Sequence, residues 1–271
     1  MGAGATQVST STAPRPAARR RAPVLPPQHG AWAFLALPLV LACTVVTPSW
    51  WTVVLAVAWF AAYPASYAGG RLLRDRRPER FRRPFVLWAA LAAVPAALLL
   101  LRFPWLAWVG VVLFALVAVN VRYARRNNER ALANDLVVVT ECALLVPVTW
   151  AVSTAASTVP LPGTVPAQIA VLTVVCWLVL AGSTLHVKAL IRERRDPRYA
   201  RASRAFAVSS VVVSVALAAK WGLPEGWALV VPFAALAVRA FLVGRRPARA
   251  KVIGLVELAM FALVAVAAWL A

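Results

Sequence analysis

The polar side chains of this chain that could do chemistry are few, and they gather into short strings. Pro26-Pro27-Gln28-His29-Gly30-Ala31-Trp32 carries one of two histidines, and the other opens His186-Val187-Lys188-Ala189-Leu190-Ile191-Arg192-Glu193-Arg194. Between them lie Asn127-Asn128-Glu129-Arg130-Ala131-Leu132-Ala133-Asn134-Asp135-Leu136, with Glu141 further on, and near the end Lys251-Val252-Ile253-Gly254-Leu255-Val256-Glu257. Glu141 and Glu257 each stand inside an apolar run. An ionisable group in the hydrocarbon costs at least about 2.5–3.5 kcal/mol on insertion scales, so each must face protein and have a partner. Asn134, Glu141 and, less closely, Thr149 recur about every two helical turns and line one face. Asp135 would begin that helix, where a carboxylate suits the dipole and could serve only as a cap.

His29 and His186 could ligate a metal or relay protons, or each could cap a helix or meet a lipid headgroup. Asp75 and Glu79 stand one helical turn apart, a spacing that lets two carboxylates share one Mg²⁺ beside a diphosphate. Around them lie Arg71, Arg74, Arg76, Arg77, Arg80, Arg82 and Arg83, so surface ion pairs explain the same residues. Those arginines could grip phosphate bidentately, or could simply set orientation and touch anionic lipid. Lys251 and Glu257 are six residues apart and do not meet on one helix. Lys251 is expected to reach another helix or a phosphate, and Gly254 to allow close helix packing.

The elements that must position these groups follow from composition. The chain has 271 residues, 62% hydrophobic and 14% charged, with a mean hydropathy of +0.76. A soluble domain is about 45–50% apolar and about 25% charged, so a water-soluble enzyme is excluded and so is a disordered chain. The formal charge of +20 needs no nucleic acid, since Lys and Arg accumulate in the cytoplasmic loops of membrane proteins. The expected fold is an all-α polytopic bundle. A span needs about 20 apolar residues. Nine segments qualify, at about 31–47, 50–69, 85–102, 104–121, 134–152, 166–186, 205–220, 226–243 and 252–270, with the first and seventh short. Residues 1–25, rich in Ala, Ser, Thr, Pro and Arg, read as a disordered basic cytoplasmic tail ahead of a transmembrane helical domain over 26–271.

Charge placement tests that division. Of the 29 basic residues, all but Arg102 and Lys220 fall in the tail or in alternate connections. The basic connections are 71–84, 122–133, 187–204 and a last one counted from Arg239 to Lys251. A missing or spurious span would scramble the alternation, and the positive-inside rule puts the N-terminus in the cytoplasm. The opposite connections carry Trp50, Trp51, Trp105, Trp108, Trp150, Trp221 and Trp227, an expected headgroup belt. Cys43, Cys142 and Cys176 sit in apolar runs at no metal-ligand spacing and read as packing residues.

Pro-x-Gln-His-Gly-Ala-Trp, Asn-x-Glu-Arg-x-x-x-Asn-Asp-Leu, His-Val-x-x-x-Ile-Arg-Glu-Arg and Lys-x-Ile-Gly-x-x-Glu, in this order over residues 26–270, resemble the YwiC-like bacterial membrane proteins. That resemblance implies a multi-pass protein of a bacterial cytoplasmic membrane and brings no activity with it. A fainter one is to the UbiA-type prenyltransferases, which have nine spans, an inside N-terminus and acidic motifs after the second and sixth spans. Asp75 with Glu79, and Glu193 with Asp196, occupy those places here, but the usual Asn-Asp-x-x-Asp-x-x-x-Asp pattern is absent.

The leading expectation is an enzyme-like polar cavity, open to the cytoplasm and the lipid, acting on an anionic isoprenoid such as a polyprenyl diphosphate. Mg²⁺ belongs only to the prenyltransferase-like version of it. The candidate site joins His29, Asn128, Glu129, Asn134, Asp135, Glu141, His186, Arg192, Glu193, Lys251 and Glu257. The alternatives are a proton-coupled transporter using Glu141, Glu257 and the histidines, and a non-catalytic membrane assembly partner. The bilayer is the expected environment; no nucleic acid is expected, and protein partners stay open.

Overall fold

A computed structural model describes residues 24–26, 30–222, 225–242 and 249–271. Among these the chain is all-helical, with no strand. The helices are α1 (Ala31–Cys43), α2 (Trp50–Arg74), α3 (Glu79–Arg102), α4 (Leu106–Arg125), α5 (Leu132–Ser153), α6 (Ala167–Val187), α7 (Pro197–Trp221), α8 (Val230–Leu242) and α9 (Ala250–Leu270). A π-helical turn, Lys188–Arg192, prolongs α6, and a 3₁₀ turn, Glu225–Leu229, leads into α8. Eight of these helical stretches are long and apolar enough to cross a membrane.

The two segments expected to be short change in opposite directions. The first segment is helical for only 13 residues and stops at Cys43, where the Thr44 hydroxyl donates to the Leu41 carbonyl at 2.8 Å. The seventh, expected to be short, runs for 25 residues. Asp196 starts it early: its carboxylate accepts the Arg198 N–H at 2.8 Å and Pro197 occupies the first turn, where a missing N–H costs nothing. Residues 1–23 and 27–29 lie outside the described residues, and with them nearly all of the expected tail. The end of that segment is placed, because Trp88 on α3 donates its indole N–H to the Val24 carbonyl at 2.8 Å.

The helices surround α6, which touches α1, α5, α7 and α9. Its Ile169, Leu172, Val175, Cys176, Val179 and Leu180 are fully buried. A second apolar cluster joins α1, α2 and α5 through Leu39, Val54, Leu55, Leu145 and Val148, closed by Leu99, Phe103 and Trp105. Helices α2 and α3 form a tight hairpin, while α4 lies outside with no buried residue. Cys142 and Cys176 pack in the core and Cys43 is half-buried, all three free, as expected of packing residues. The 3₁₀ turn crosses the end of α7 so closely that a Cβ on Gly226 would come 2.3 Å from the Ala218 carbonyl oxygen. Only glycine fits there.

The two ends of the bundle are joined by different chemistry. At one end, Trp105 donates to the Ala156 carbonyl (2.9 Å), Trp221 to the Ala271 carbonyl (3.2 Å), and the Thr52 and Ser153 hydroxyls meet at 2.7 Å. These contacts bring together connections that the charge pattern assigns to one side. The tryptophans expected as a belt therefore divide. Trp50, Trp108 and Trp227 project outward, whereas Trp105 is buried and Trp221 is tied to the last helix. At the other end, the basic connections meet through ion pairs.

Candidate functional site

The basic end is built around α2, the α4–α5 connection and the exit of α6. Asn127, with φ of 53°, reverses the chain after α4. Asparagine tolerates that left-handed conformation better than most residues. Glu129, displayed by this turn, forms an ion pair with Arg74 at the end of α2. Asn134, buried in the first turn of α5, donates to the Glu129 carbonyl at 2.9 Å. One turn along the connection, Lys188 crosses from the π turn, bonding the Asp135 carboxylate and the Arg130 carbonyl. The Lys188 side chain is only 2% exposed. Wider π turns of this kind insert an extra residue into a helix and are often found where a side chain must be re-aimed. Three strings distant in sequence thus meet through Arg74 and Lys188.

Beside this station stands Arg71, half-buried on the same helix as Arg74. Its guanidinium lies 6.0 Å from the Tyr67 ring and 5.5 Å from Phe81, with Asp75 at 3.8 Å. Its Nε is buried without a hydrogen-bond partner among the described residues.

A second polar centre lies deeper, among α6, α8 and α9. Arg239 and Glu257 form a buried ion pair, 5% and 7% exposed in their side chains. His186 lies beside Arg239, and Ser183 beside the Glu257 carboxylate. All four residues are buried. The third polar contact is on the flank: Asn120 of α4 donates to the Glu141 carboxylate at 2.7 Å. Next to it, Trp177 of α6 donates to the Thr140 hydroxyl at 3.1 Å, fastening α5 to the central helix.

The single converging site expected from the sequence is therefore divided. Glu129, Asn134 and Asp135 do come together, and His186 and Glu257 share Arg239. Glu141 joins neither group; its partner is Asn120, not Asn134, His186 or Glu257. Thr149, expected on the same face, bonds back to the Leu145 carbonyl at 2.7 Å. Asn128, Arg192 and Lys251 are exposed, while Arg192 and Glu193 line an open surface groove with Arg194, Arg195 and Asp196. Gly254 has no atom close to where a Cβ would sit, so its packing role does not hold. His29 lies outside the described residues.

Four residues that matter here were overlooked. Lys188 and Arg239 stand among the basic connections, and Asn120 and Ser183 lie within apolar runs where the sequence alone does not single them out. Asn120, Ser183 and Arg239 had a signal in the rule that singled out Glu141 and Glu257, since a carboxylate in hydrocarbon demands a donor from another helix.

The carboxylates also decide whether Mg²⁺ fits. Asp75 ends α2 and accepts the Arg77 N–H at 3.1 Å, and Glu79 begins α3, so the two do not share a helix face. Asp196 caps α7, and Glu129, Asp135 and Glu257 are each held by a cation. Among the described residues, no three His, Cys, Asp or Glu side chains converge as a metal site. The donor set does not fit a Mg²⁺–diphosphate centre.

Comparison with known proteins agrees with the strings read from the sequence. Residues 25–150 match the family described as YwiC-like protein. The resemblance to the YwiC-like family holds. The uncharacterized protein YwiC of Bacillus subtilis is 29% identical over 240 residues, covering 87% of this chain and 92% of that protein. An uncharacterized protein of Haemophilus influenzae is 26% identical over 236 residues, again 87% of this chain and 92% of the relative. No solved structure matches the chain. The matched span ends within α5, so it holds the Arg74–Glu129 pair, Asp135 and Glu141 but neither Lys188 nor the α6–α8–α9 centre. The chain is a multi-pass, membrane-type helical protein similar to these YwiC-like relatives.

Proposed function

We propose that the chain binds an anionic, lipid-tailed molecule at its basic end, a polyprenyl diphosphate or a phospholipid, in a bacterial cytoplasmic membrane with its N-terminus inside. The observation that carries this reading is the station formed by Arg71, Arg74, Glu129, Asp135 and Lys188. It assembles two half-buried arginines at the headgroup level beside aromatic rings, and the buried Nε of Arg71 has a donor left to give. Guanidinium groups are suited to bidentate phosphate binding, and the flanking α4, without a buried residue, leaves the acyl or prenyl tail a lipid-facing wall. A prenyl transfer step would need a metal that the acidic residues do not offer, so binding is the reading carried forward. Transport would call for ionisable groups through the membrane thickness. Glu141, His186, Lys188, Arg239 and Glu257 instead all lie in the halves of their helices nearer the basic end.

Two experiments test this. Mass spectrometry of lipids retained by the detergent-purified protein should find a phosphate-bearing lipid, reduced several-fold in Arg71→Gln/Arg74→Gln and unchanged in the exposed control Arg201→Gln. Equal retention by all three proteins would end the reading. Reporter fusions after residues 78, 128, 195 and 248 should report cytoplasm, and those after 49, 160 and 223 the outside. One reversed internal site would overturn the topology.

A further inference from the structure

Glu141 differs from the acids of the two polar centres in having no cation. Glu129 pairs with Arg74, Asp135 with Lys188 and Glu257 with Arg239, and no ion pair among the described residues includes Glu141. One turn to either side of it on α5 stand Val137, Val138, Leu144 and Leu145, all apolar. On the helices packed against α4 and α5, Arg71, Arg74, Lys188 and Arg239 are engaged by other acids, with His186 beside Arg239. Arg122 is exposed and follows Asn120 by two residues, so it leaves α4 on another face. Both partners stand well inside their helices, Asn120 roughly 7–8 Å along α4 from Arg125 and Glu141 roughly 13–14 Å along α5 from Leu132. Helix α4 has no buried residue, and lipid offers the α4–α5 seam neither counter-ion nor hydrogen bond. An ionised carboxylate would stand there uncompensated, whereas a neutral acid needs only hydrogen bonds.

Asn120 supplies a second observation. Its amide N–H donates to Glu141 Oε1 at 2.7 Å, while its own Oδ1 is buried with no donor among the described residues. A carboxylate can only accept, but a protonated carboxyl carries one O–H to give. Turning the amide over does not remove the need. Two oxygens would then face each other, which holds only with a proton between them.

We infer that Glu141 is a proton-binding site on the lipid-facing seam of α4 and α5, a neutral carboxylic acid joined to the Asn120 amide by two reciprocal hydrogen bonds. The amide N–H goes to one carboxyl oxygen and the carboxyl O–H to the amide oxygen. The site is separate from the Arg71–Arg74 station and does not rest on lipid binding there. It is open to reagents that arrive through lipid. A lipid-soluble carbodiimide adds to the protonated form: the carboxyl oxygen bonds to its central carbon, the proton passes to its nitrogen, and nothing leaves.

Dicyclohexylcarbodiimide, added at neutral pH to the wild-type protein in liposomes, should therefore modify Glu141 several-fold more than the accessible Glu129 or the buried Glu257, as located by peptide mass spectrometry. Infrared difference spectra give a second readout. Glu141→Gln exchanges the acid–amide pair for an amide–amide pair of the same shape, and the spectrum should lose the carbonyl band of a neutral carboxylic acid, one that shifts in D2O. Asn120→Leu, which removes both bonds, should move that band to higher frequency. Glu141 no more reactive than Glu129, loss of a carboxylate band in place of the neutral-acid band, or a band unmoved in Asn120→Leu would overturn the inference.

Discussion

Glu141 and Glu257 look alike in the sequence, each a lone acid in an apolar run, yet the structure gives them opposite settings. Glu257 is buried among three helices and faces a guanidinium. Glu141 is half-buried between α5 and the peripheral α4, and faces a neutral amide. The difference lies in what the partner must compensate. A carboxylate enclosed among three helices is tolerable beside an opposite charge brought from another helix, whereas the α4–α5 seam, which faces lipid and not water, brings Glu141 a neutral donor. The first centre locks α8 to α9 under α6, and the second ties an outer helix to the core. Depth, not residue type, separates them.

Substitutions can break that comparison, and the largest effect belongs to Glu257. Glu257→Leu leaves Arg239 buried and unpaired and should cost about 3–5 kcal/mol, read as loss of folded protein in detergent unfolding. Arg239→Leu should cost a similar amount, and the double variant much less than the sum. Strictly additive losses would mean that the two side chains do not act as a pair. Lys188→Met comes next, because it removes the cation that joins Asp135 to the Arg130 carbonyl. A charged hydrogen bond is worth about 1.5–3 kcal/mol, and proteolysis of the α4–α5 connection should accelerate with it. No change in cleavage rate would detach Lys188 from that connection.

Glu141→Leu should cost less than Glu257→Leu, about 1–3 kcal/mol, by stranding the Asn120 amide. Glu141→Gln keeps shape and hydrogen bonding and should unfold like wild type. If Gln proves as harmful as Leu, the charge itself matters and the contrast with Glu257 collapses. The smallest effect is expected at the rim, where Arg74→Gln breaks an ion pair whose side chains are 22% and 40% exposed. Exposed pairs contribute about 0–1 kcal/mol, so stability should barely move even where lipid retention falls.

Much of this was legible beforehand because hydrocarbon imposes simple rules. Backbone groups must be satisfied within each helix, so apolar runs became helices at nearly the expected places. Basic connections alternate because translocation is costly for Lys and Arg near a span, and the structure joins those same connections through Arg74–Glu129 and Lys188–Asp135. The candidate site was half legible. Asn134, Asp135, Glu129, His186 and Glu257 are in polar centres, but the expectation of one shared cavity failed. Helical periodicity fixes which face a residue occupies on its own helix and says nothing of which helix lies opposite.

Helices α4 and α6 make the same point at the scale of the fold. Their most apolar stretches have nearly the same mean hydropathy, yet 67% of the residues in the α6 stretch are buried in protein and none of those in the α4 stretch. In water, burial and hydropathy rise together, because hiding apolar surface is what drives packing. In a bilayer the lipid is as apolar as leucine, so a hydrophobic helix has no preference between core and periphery on that account. What the residues of this chain determine alone is that its apolar runs form helices, roughly where those helices lie, and in which connections charge collects. Tertiary packing decided the rest: that α6 is central, that Lys188 and Arg239 turn inward, and that Glu141 and Glu257 serve different centres. Those outcomes depend on shape and on polar partners brought from other helices, which no single segment encodes.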